Sequence, residues 1–449
     1  MSAKRLRSFA IVAFMVAARW PVGVSFAQED VTLEGGQATV RDASSGAYSR
    51  PVPSLGRGPQ RLKQEVGEAG FLRNFALVPI EGRIRLGPTF NSPSCASCHI
   101  RNGRGALRTS RHGMSSDTVV KVSRAEGPPV LPGGPIAVPG VGLQVRDRAL
   151  AGATPAAQIA IRWESVGGTY GDGTPYELRF PRIKFSKVRR GGVSDAMHSL
   201  RRTPPIHGAG LLEAIPAASI QAQADPLDQD GNGISGRVNH VWDIERAIPG
   251  VGRFGFKAGS PTLRQQVAAA YATDMGVSNV LFRSAGENPE IPSEALDATT
   301  FYSATLGVPQ ARGQSAQEVK SGHQLFEAFG CAGCHSQTFR TGSATVAGLS
   351  FQIIHPFTDL LLHDMGPGLA DSRPEFEASG QEWRTTPLWG IGLADVVLGR
   401  PATYLHDGRA RSLSEAILWH GGEGERSREL FRNATSQQRE DLIRFLRSL

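Results

Sequence analysis

The chain has 449 residues and a formal charge of +8 at pH 7, which is enough length for two or three domains and a basic balance that raises the question of an acidic partner. Nucleic acid is not expected as that partner. No basic run is interleaved with aromatics, as such binding needs, and residues 1–27 hold four of the basic residues and no acid, so the charge without them is +4. Four cysteines, all used in one repeated motif, leave none for a disulfide framework.

In chain order, the first element is a secretory signal at 1–27. Lys4, Arg5 and Arg7 form a basic start, Phe9 to Ala18 an apolar run, and Ser25-Phe26-Ala27 a small-x-small cleavage site. The run is too short to cross a bilayer and Arg19 interrupts it, so the expectation is export to the periplasm, with no stable membrane span after signal removal.

Cys95-Ala96-Ser97-Cys98-His99 follows, and Cys331-Ala332-Gly333-Cys334-His335 repeats it 236 positions later (331 minus 95). Cys-x-x-Cys-His is the attachment site of a c-type haem. Thiols three positions apart stand about one helical turn from each other, so both reach one porphyrin edge while the next imidazole turns under the iron. A redox dithiol needs no histidine after the second cysteine, and a structural zinc site would pool the pairs into one four-ligand set. Two distant pairs, each with its own histidine, suit two covalently bound haem c groups better, with His99 and His335 as proximal ligands.

Gly127 to Gly142 reads as an irregular lead-in. Ile159, Ile161 and Trp163, then Tyr176, Leu178 and Phe180, alternate with other residues at the period of a half-buried strand, which predicts a β-rich insertion at about 116–190. The segment Arg202 to Leu211 aligns without gaps on Arg384 to Leu393 with six identities in ten. Each copy follows its own haem motif, by 103 positions (202 minus 99) and 49 (384 minus 335), so the chain reads as mainly α, with two tandem cytochrome c-type haem domains at 28–300 and 301–449 and the insertion lengthening the first.

Asp228-x-Asp230-x-Asn232-Gly233 matches the opening of a calcium loop, with side-chain oxygens at alternate positions and a glycine for the turn. Position twelve is Asn239 rather than a bidentate glutamate, so the candidates are a partial cage for one Ca2+, aided by the Ile234 carbonyl, and a plain polar turn. Helices are expected from Ser260-Pro261 to about Met275, from Ser315-x-x-Glu318 through Val319, Gly322, Phe326 and Phe329, from Ser412-x-x-Glu415 to His420, and from Thr435-x-x-Gln438 to the end.

Tyr404-Leu405-His406-Asp407-Gly408-Arg409 and Leu413-Ser414-Glu415-Ala416-Ile417, with the paired motifs and the Arg-Thr-x-Pro segment, resemble the bacterial dihaem cytochrome c peroxidase superfamily. Phe90 to Ser94, Gly210 to Pro216, Leu362-His363-Asp364-Met365-Gly366 and Trp419-His420-Gly421-Gly422-Glu423 are similar to its branch of dihaem oxidoreductases, also described as thiol oxidoreductases. The resemblance covers residue 60 to the C-terminus. It implies two cytochrome c domains facing each other, one haem for electron entry and one open to peroxide or another small oxidant, a periplasmic electron donor or acceptor protein as partner, and calcium near the haem interface. The alternative is a dihaem electron carrier without a substrate site.

Where the peroxidases often have a methionine as a distal haem ligand, this chain has Leu405, which cannot ligate iron. Past residue 27 the methionines are Met114, Met197, Met275 and Met365. Met365 is favoured as distal ligand of the second haem, where a thioether would raise the potential, with Tyr404, His363 and His406 as alternatives and ordinary core packing as the bland reading. At the first haem, Glu213 is the candidate acid-base group, since apolar flanks would desolvate its carboxylate and raise its pKa. A helix-terminal glutamate is the competing reading, and His207, opposite Trp389 in the repeat, is the reserve.

Overall fold

The computed structural model describes residues 33–76, 86–105, 118–188, 192–193, 195–283 and 288–449. The expected signal at 1–27, Met114 and the first residues of the expected insertion lie outside them. From Thr32 onward the chain forms one compact unit. Its main elements in chain order are α1 (Pro59–Leu72), β1 (Thr118–Pro129), β2 (Gln158–Thr169), β3 (Pro175–Ser186), β4 (Met197–Arg202), α2 (Leu263–Asp274), α3 (Ser293–Ala304), α4 (Gln317–Ala328), α5 (Leu413–Leu418) and α6 (Ser436–Ser448).

One arrangement occurs twice. Helix α1 crosses α3 and helix α4 crosses α6, and each crossing is made at a glycine. A Cβ on Gly67 would collide with the Ala298 carbonyl and Tyr302, and one on Gly322 with the Asp441 carbonyl and Phe445. Only a bare Cα lets the helices approach this closely. Four residues further along, Phe71 lies 5.9 Å from the His99 ring and 5.2 Å from Tyr302. Phe326 lies 6.3 Å from His335 and 5.4 Å from Phe445. Each Cys-x-x-Cys-His segment is thus held against an aromatic pair supplied by two crossed helices.

The repeated Arg-Thr-x-Pro segments meet reciprocally. Gly208 and Gly390 occupy equivalent positions and both have left-handed φ, 73° and 71°. A Cβ on Gly208 would strike the Trp389 indole, and one on Gly390 the His207 ring. Each copy's aromatic residue therefore covers the other copy's glycine, as a pseudo-twofold relation requires.

Strand content comes mostly from 118–202. Strands β2 and β3 pair antiparallel over their full length, Gln158 with Ser186 and Thr169 with Pro175. Ile159, Ile161 and Trp163 are half-buried and Gln158, Ala160 and Arg162 exposed, as their alternation predicts. The hairpin tip reaches the C-terminal helices. Gly171 N–H donates to Arg432 O at 2.9 Å, and Arg439 pairs with Asp172 at 2.7 Å. Strand β1 pairs with β4 and with Gln144–Val145 over a core of Val120, Val122, Val145 and Leu200.

Two helix starts differ from the expectation. Helix α4 begins after Ala316, and Ser315 makes no cap. Helix α2 is capped by Thr262, whose hydroxyl accepts from Gln265 N–H, not by Ser260. At α2 the Thr262 hydroxyl, next to the first turn, has the reach to cap it and the more distant Ser260 does not, whereas the N-cap position of α4 is held by Ala316, which has no oxygen to offer. Ser412 caps α5, and Thr435 with Gln438 forms the reciprocal capping box of α6.

Candidate functional site

At the first motif, Cys95–Cys98 is a single helical turn whose N-cap Ser94 accepts from Ser97 N–H at 3.1 Å. His99 N–H donates to Cys95 O, which turns the imidazole under the pair. Its Nδ1 donates to Pro204 O at 2.9 Å, inside the repeated Arg-Thr-Pro-Pro segment. The second motif starts at Gly330, with φ 79°, and tightens into a 3-10 turn at Cys331–Gly333. His335 Nδ1 donates to Phe357 O at 2.8 Å. In both copies a backbone carbonyl fixes the tautomer and leaves Nε2 for a metal. Burial pushes both imidazoles down to about 4, against the opposing carbonyl bond, so both are neutral, as ligation requires.

Burial also pushes the Cys95 and Cys331 thiols up to about 12. A redox dithiol needs a stabilised thiolate, so these pairs are poorly suited to it. A metal ion in the second copy fares no better. Cys334, Asp359 and His363 lie within reach of a common ion, but His363 Nε2 donates to Asp359 Oδ2 at 2.8 Å and Nδ1 to Glu423 Oε2 at 2.6 Å. Although burial opposes the charge, the two carboxylates and Cys334 raise the His363 pKa well above its ordinary value, and an imidazolium has no lone pair to give. His363 is thereby a poor distal ligand. His406 is buried, stacked 3.6 Å over Trp383, and its carbonyl accepts from Arg202 N–H. Tyr404 lies beside Arg104, near the first copy.

Met365 is half-buried in a cluster with Leu405, Trp419, Phe256, Leu369 and Trp383, so it shares a wall with the leucine that stands in the peroxidase methionine's place. Sequence reasoning missed its neighbour His420. Met365 Cε and His420 Cδ2 both lie against Gly424. His420 Nδ1 donates to Ala416 O at 2.7 Å, leaving Nε2 open as in the two motif histidines, and burial holds its pKa below the ordinary value. Met275 is 1% exposed in an apolar core that Cys95 borders, and Met197 begins β4.

Glu213 does not meet the first motif. Its Oε1 accepts from Leu263 N–H at 2.7 Å, at the first turn of α2, where a carboxylate complements the helix dipole. Burial raises its pKa, opposed by that bond and by Arg253. The proton-transfer role expected from sequence has no geometric support among the described residues. His207 is buried, stacked 4.0 Å from Tyr48, and its Nε2 meets Trp389 O at 3.2 Å.

Asp228 and Asp230 come together with Asp225, and Asn232 stays beside them, bonded to Asp230. Asn232 Oδ1 accepts from Ile234 N–H, and its amide donates to Asp230. Asp225 precedes Asp228 by three positions, and an alternate-position pattern passes over it. The loop leans on the second motif. Ile234 packs on Gly333, and Ser235 N–H and Oγ–H donate to Glu423, the partner of His363.

Among the described residues no helix is long and apolar enough to cross a membrane. A family profile described as "Di-haem oxidoreductase, putative peroxidase" matches residues 28–128, 133–289 and 283–449. Among solved structures the chain is similar to hydrazine synthase of Kuenenia stuttgartiensis, in a structure pressurised with 20 bar xenon, at 16% identity and TM-score 0.38 over 99% of this chain and 100% of that one. It is also similar to a MauG-like protein associated with microbial copper homeostasis, at 14% identity and TM-score 0.28 over 54% of this chain and 89% of that one. No curated protein matches. The profile's segments extend over nearly the whole described chain, and the protein belongs to the di-haem oxidoreductase family.

Proposed function

We propose that the chain is a periplasmic dihaem c-type oxidoreductase of peroxidase-like design. One haem is attached at Cys95 and Cys98 with His99 proximal, in a domain over 28–300. The other is attached at Cys331 and Cys334 with His335 proximal, in a domain over 301–449. The carrying observation is that both motif histidines, in two copies of one helix-crossing frame, give Nδ1 to a backbone carbonyl and keep Nε2. The haems would supply one-electron transfer and, where a coordination position is open, a seat for peroxide or another small oxidant. The chain's own residues orient the ligands, keep them neutral and exclude water. Pro204 O and Phe357 O aim the imidazoles, and Phe71 and Phe326 flank them. Met365 is the distal thioether proposed for the second site, next to Leu405. The Asp225, Asp228 and Asp230 loop takes one Ca2+ and braces the second motif through Ile234 and Ser235.

The helix-capping position of Glu213 favours keeping the second reading, a dihaem carrier whose partners are periplasmic electron donors and acceptors alone. Electron paramagnetic resonance of the resting and half-reduced protein separates the two. A high-spin iron, or a ligand lost on partial reduction, with reaction toward peroxide supports the enzyme. Two low-spin irons in every redox state and indifference to peroxide support the carrier. Denatured protein that retains no haem absorbance would end both.

A further inference from the structure

Five residues after His99 stands a cation with no counter-charge among the described residues. Arg104 is 9% exposed, and its Nη1 is buried without a hydrogen-bond partner. No carboxylate among the described residues forms an ion pair with it, and the titratable side chains nearest it, Tyr404 and Tyr48, are neutral phenols. Tyr404 lies 5.8 Å away. His207, also beside it, is kept neutral by burial, and its own Nδ1 has no partner. Such a guanidinium has lost its water and gained only the face of the Tyr404 ring, which leaves the cost of a buried, unpaired charge to be offset by an occupant.

The position is not a general property of the motif. Arg340 stands five residues after His335 and is exposed on a short strand. In the first copy the chain turns back at Arg101 and Asn102, whose φ values are 49° and 61°. Asn102 is then locked by Nδ2 donation to Tyr302 and by Ile206 N–H donating to its carbonyl. This turn, built from the motif's own continuation, delivers Arg104 into the interior next to the Pro204–His207 segment that carries the His99 carbonyl partner.

We propose that Arg104 is the counter-ion of a propionate of the haem attached at Cys95 and Cys98. The inference rests on the haem assignment above. A carboxylate offers two oxygens that match the guanidinium fork, and a propionate is a permanent anion covalently part of the group that the adjacent motif would hold. Hydrogen peroxide is neutral at ordinary pH and present only in turnover, so it cannot offset a permanent buried charge.

The test uses the haem-loaded protein and its Arg104→Leu and Arg104→Lys variants. Resonance Raman of the wild type and Arg104→Leu is expected to show one of the two haems' propionate bending bands shifted. Redox titration is expected to show the first haem's transition moved to lower potential, since removing a nearby cation favours the oxidised iron, while the second stays in place. Arg104→Lys is expected to lie between the two and covers the case in which Arg104→Leu fails to fold. Unchanged bands and transitions, or changes confined to the second haem, overturn the proposal. Saturable perturbation of the first haem by added formate in wild type but not in Arg104→Leu overturns it too, because the cation would then be serving a free anion. A protein with no covalent haem at Cys95 and Cys98 fails the functional reading itself, and haem content with mass measurement detects that separately.

Discussion

Lys257 is fully buried, and Lys257→Met is expected to remove a rise in stability on the alkaline side. Its Nζ meets Asp371 Oδ1 at 3.2 Å and donates to the carbonyls of Ser379 and Glu382 at 2.5 and 3.0 Å, with the Trp383 ring 4.3 Å away. Burial lowers its pKa from 10.5 to about 8, against the pull of Asp371. Below pH 8 the lysine is protonated in both folded and unfolded chains. Between about 8 and 10.5 the unfolded chain holds a proton that the folded one has released, so stability rises with pH across that window and then levels off. A shift of about 2.5 units corresponds to roughly 3 kcal/mol at 1.36 kcal/mol per unit. Asp371 stays paired with Arg201 at 3.2 Å in the variant, and its carboxyl, held below the usual range by Arg201 and Lys257 against burial, does not titrate there. The assay is urea unfolding of both proteins in steps from pH 7 to 11, read as the difference between them. A difference that stays flat across the window would refute the reasoning, because every other titrating group is common to both.

Met365→Ala is expected to change the spectrum and potential of the second haem and spare the first; if only His420→Ala does so, the ligand is His420. Chelation is expected to disturb the second haem through Ile234, and Asp228→Asn with Asp230→Asn to abolish that sensitivity, whereas a protein free of calcium on elemental analysis leaves the loop a turn. A proton-transfer role for Glu213 requires Glu213→Gln to slow peroxide reaction about a hundredfold. The capping geometry predicts instead an unchanged rate. The wild type loses stability as pH rises from the ordinary carboxylate range to the raised pKa, because there its folded chain still holds a proton that the unfolded chain has released, and Glu213→Gln is expected to remove that loss. Gly322→Ala is expected to cost at least 1–3 kcal/mol by overpacking α4 on α6, read as a lower unfolding midpoint.

What the sequence disclosed was chemistry carried by contiguous residues. The two motifs, the Ser412 and Thr435 caps and the strand alternation at 159–163 all depend on neighbours within one turn or one strand, where spacing fixes geometry. Glu423 and His420 stayed hidden because their roles depend on distant segments: Glu423 meets His363, 60 positions before it, and Ser235, 188 before it, and His420 meets Met365 at Gly424 from 55 positions away, whereas Asp225 lies only three positions before Asp228 but off the alternate-position pattern. The partner of Glu213 was hidden for a related reason. Apolar flanks correctly implied a desolvated carboxylate, but desolvation does not say which donor the carboxylate faces, and here that donor is Leu263 N–H, 50 positions away.

The helix-crossing frame lies in the sequence at a spacing that the cysteine motifs do not reveal. Gly67 and Phe71, and Gly322 and Phe326, share the spacing Gly-x-x-x-Phe, which places both residues on one helix face. Phe71 precedes its motif by 24 positions (95 minus 71), however, and Phe326 by only 5 (331 minus 326). An ungapped comparison anchored on the cysteines therefore misses the pairing. The copies tolerate that difference because the frame is set by where the helices cross, at a bare Cα against a facing carbonyl, and not by the length of the connection. Loop length costs little entropy on doubling, whereas a side chain inserted at Gly67 or Gly322 would push the crossed helices apart and carry Phe71 or Phe326 away from its histidine. The same reasoning explains the extra length in the first copy. Its added strands leave the crossing and the His99–Pro204 bond intact, and their hairpin tip spends its contacts on Arg432 and Arg439 of the other copy, binding the two repeats into one unit.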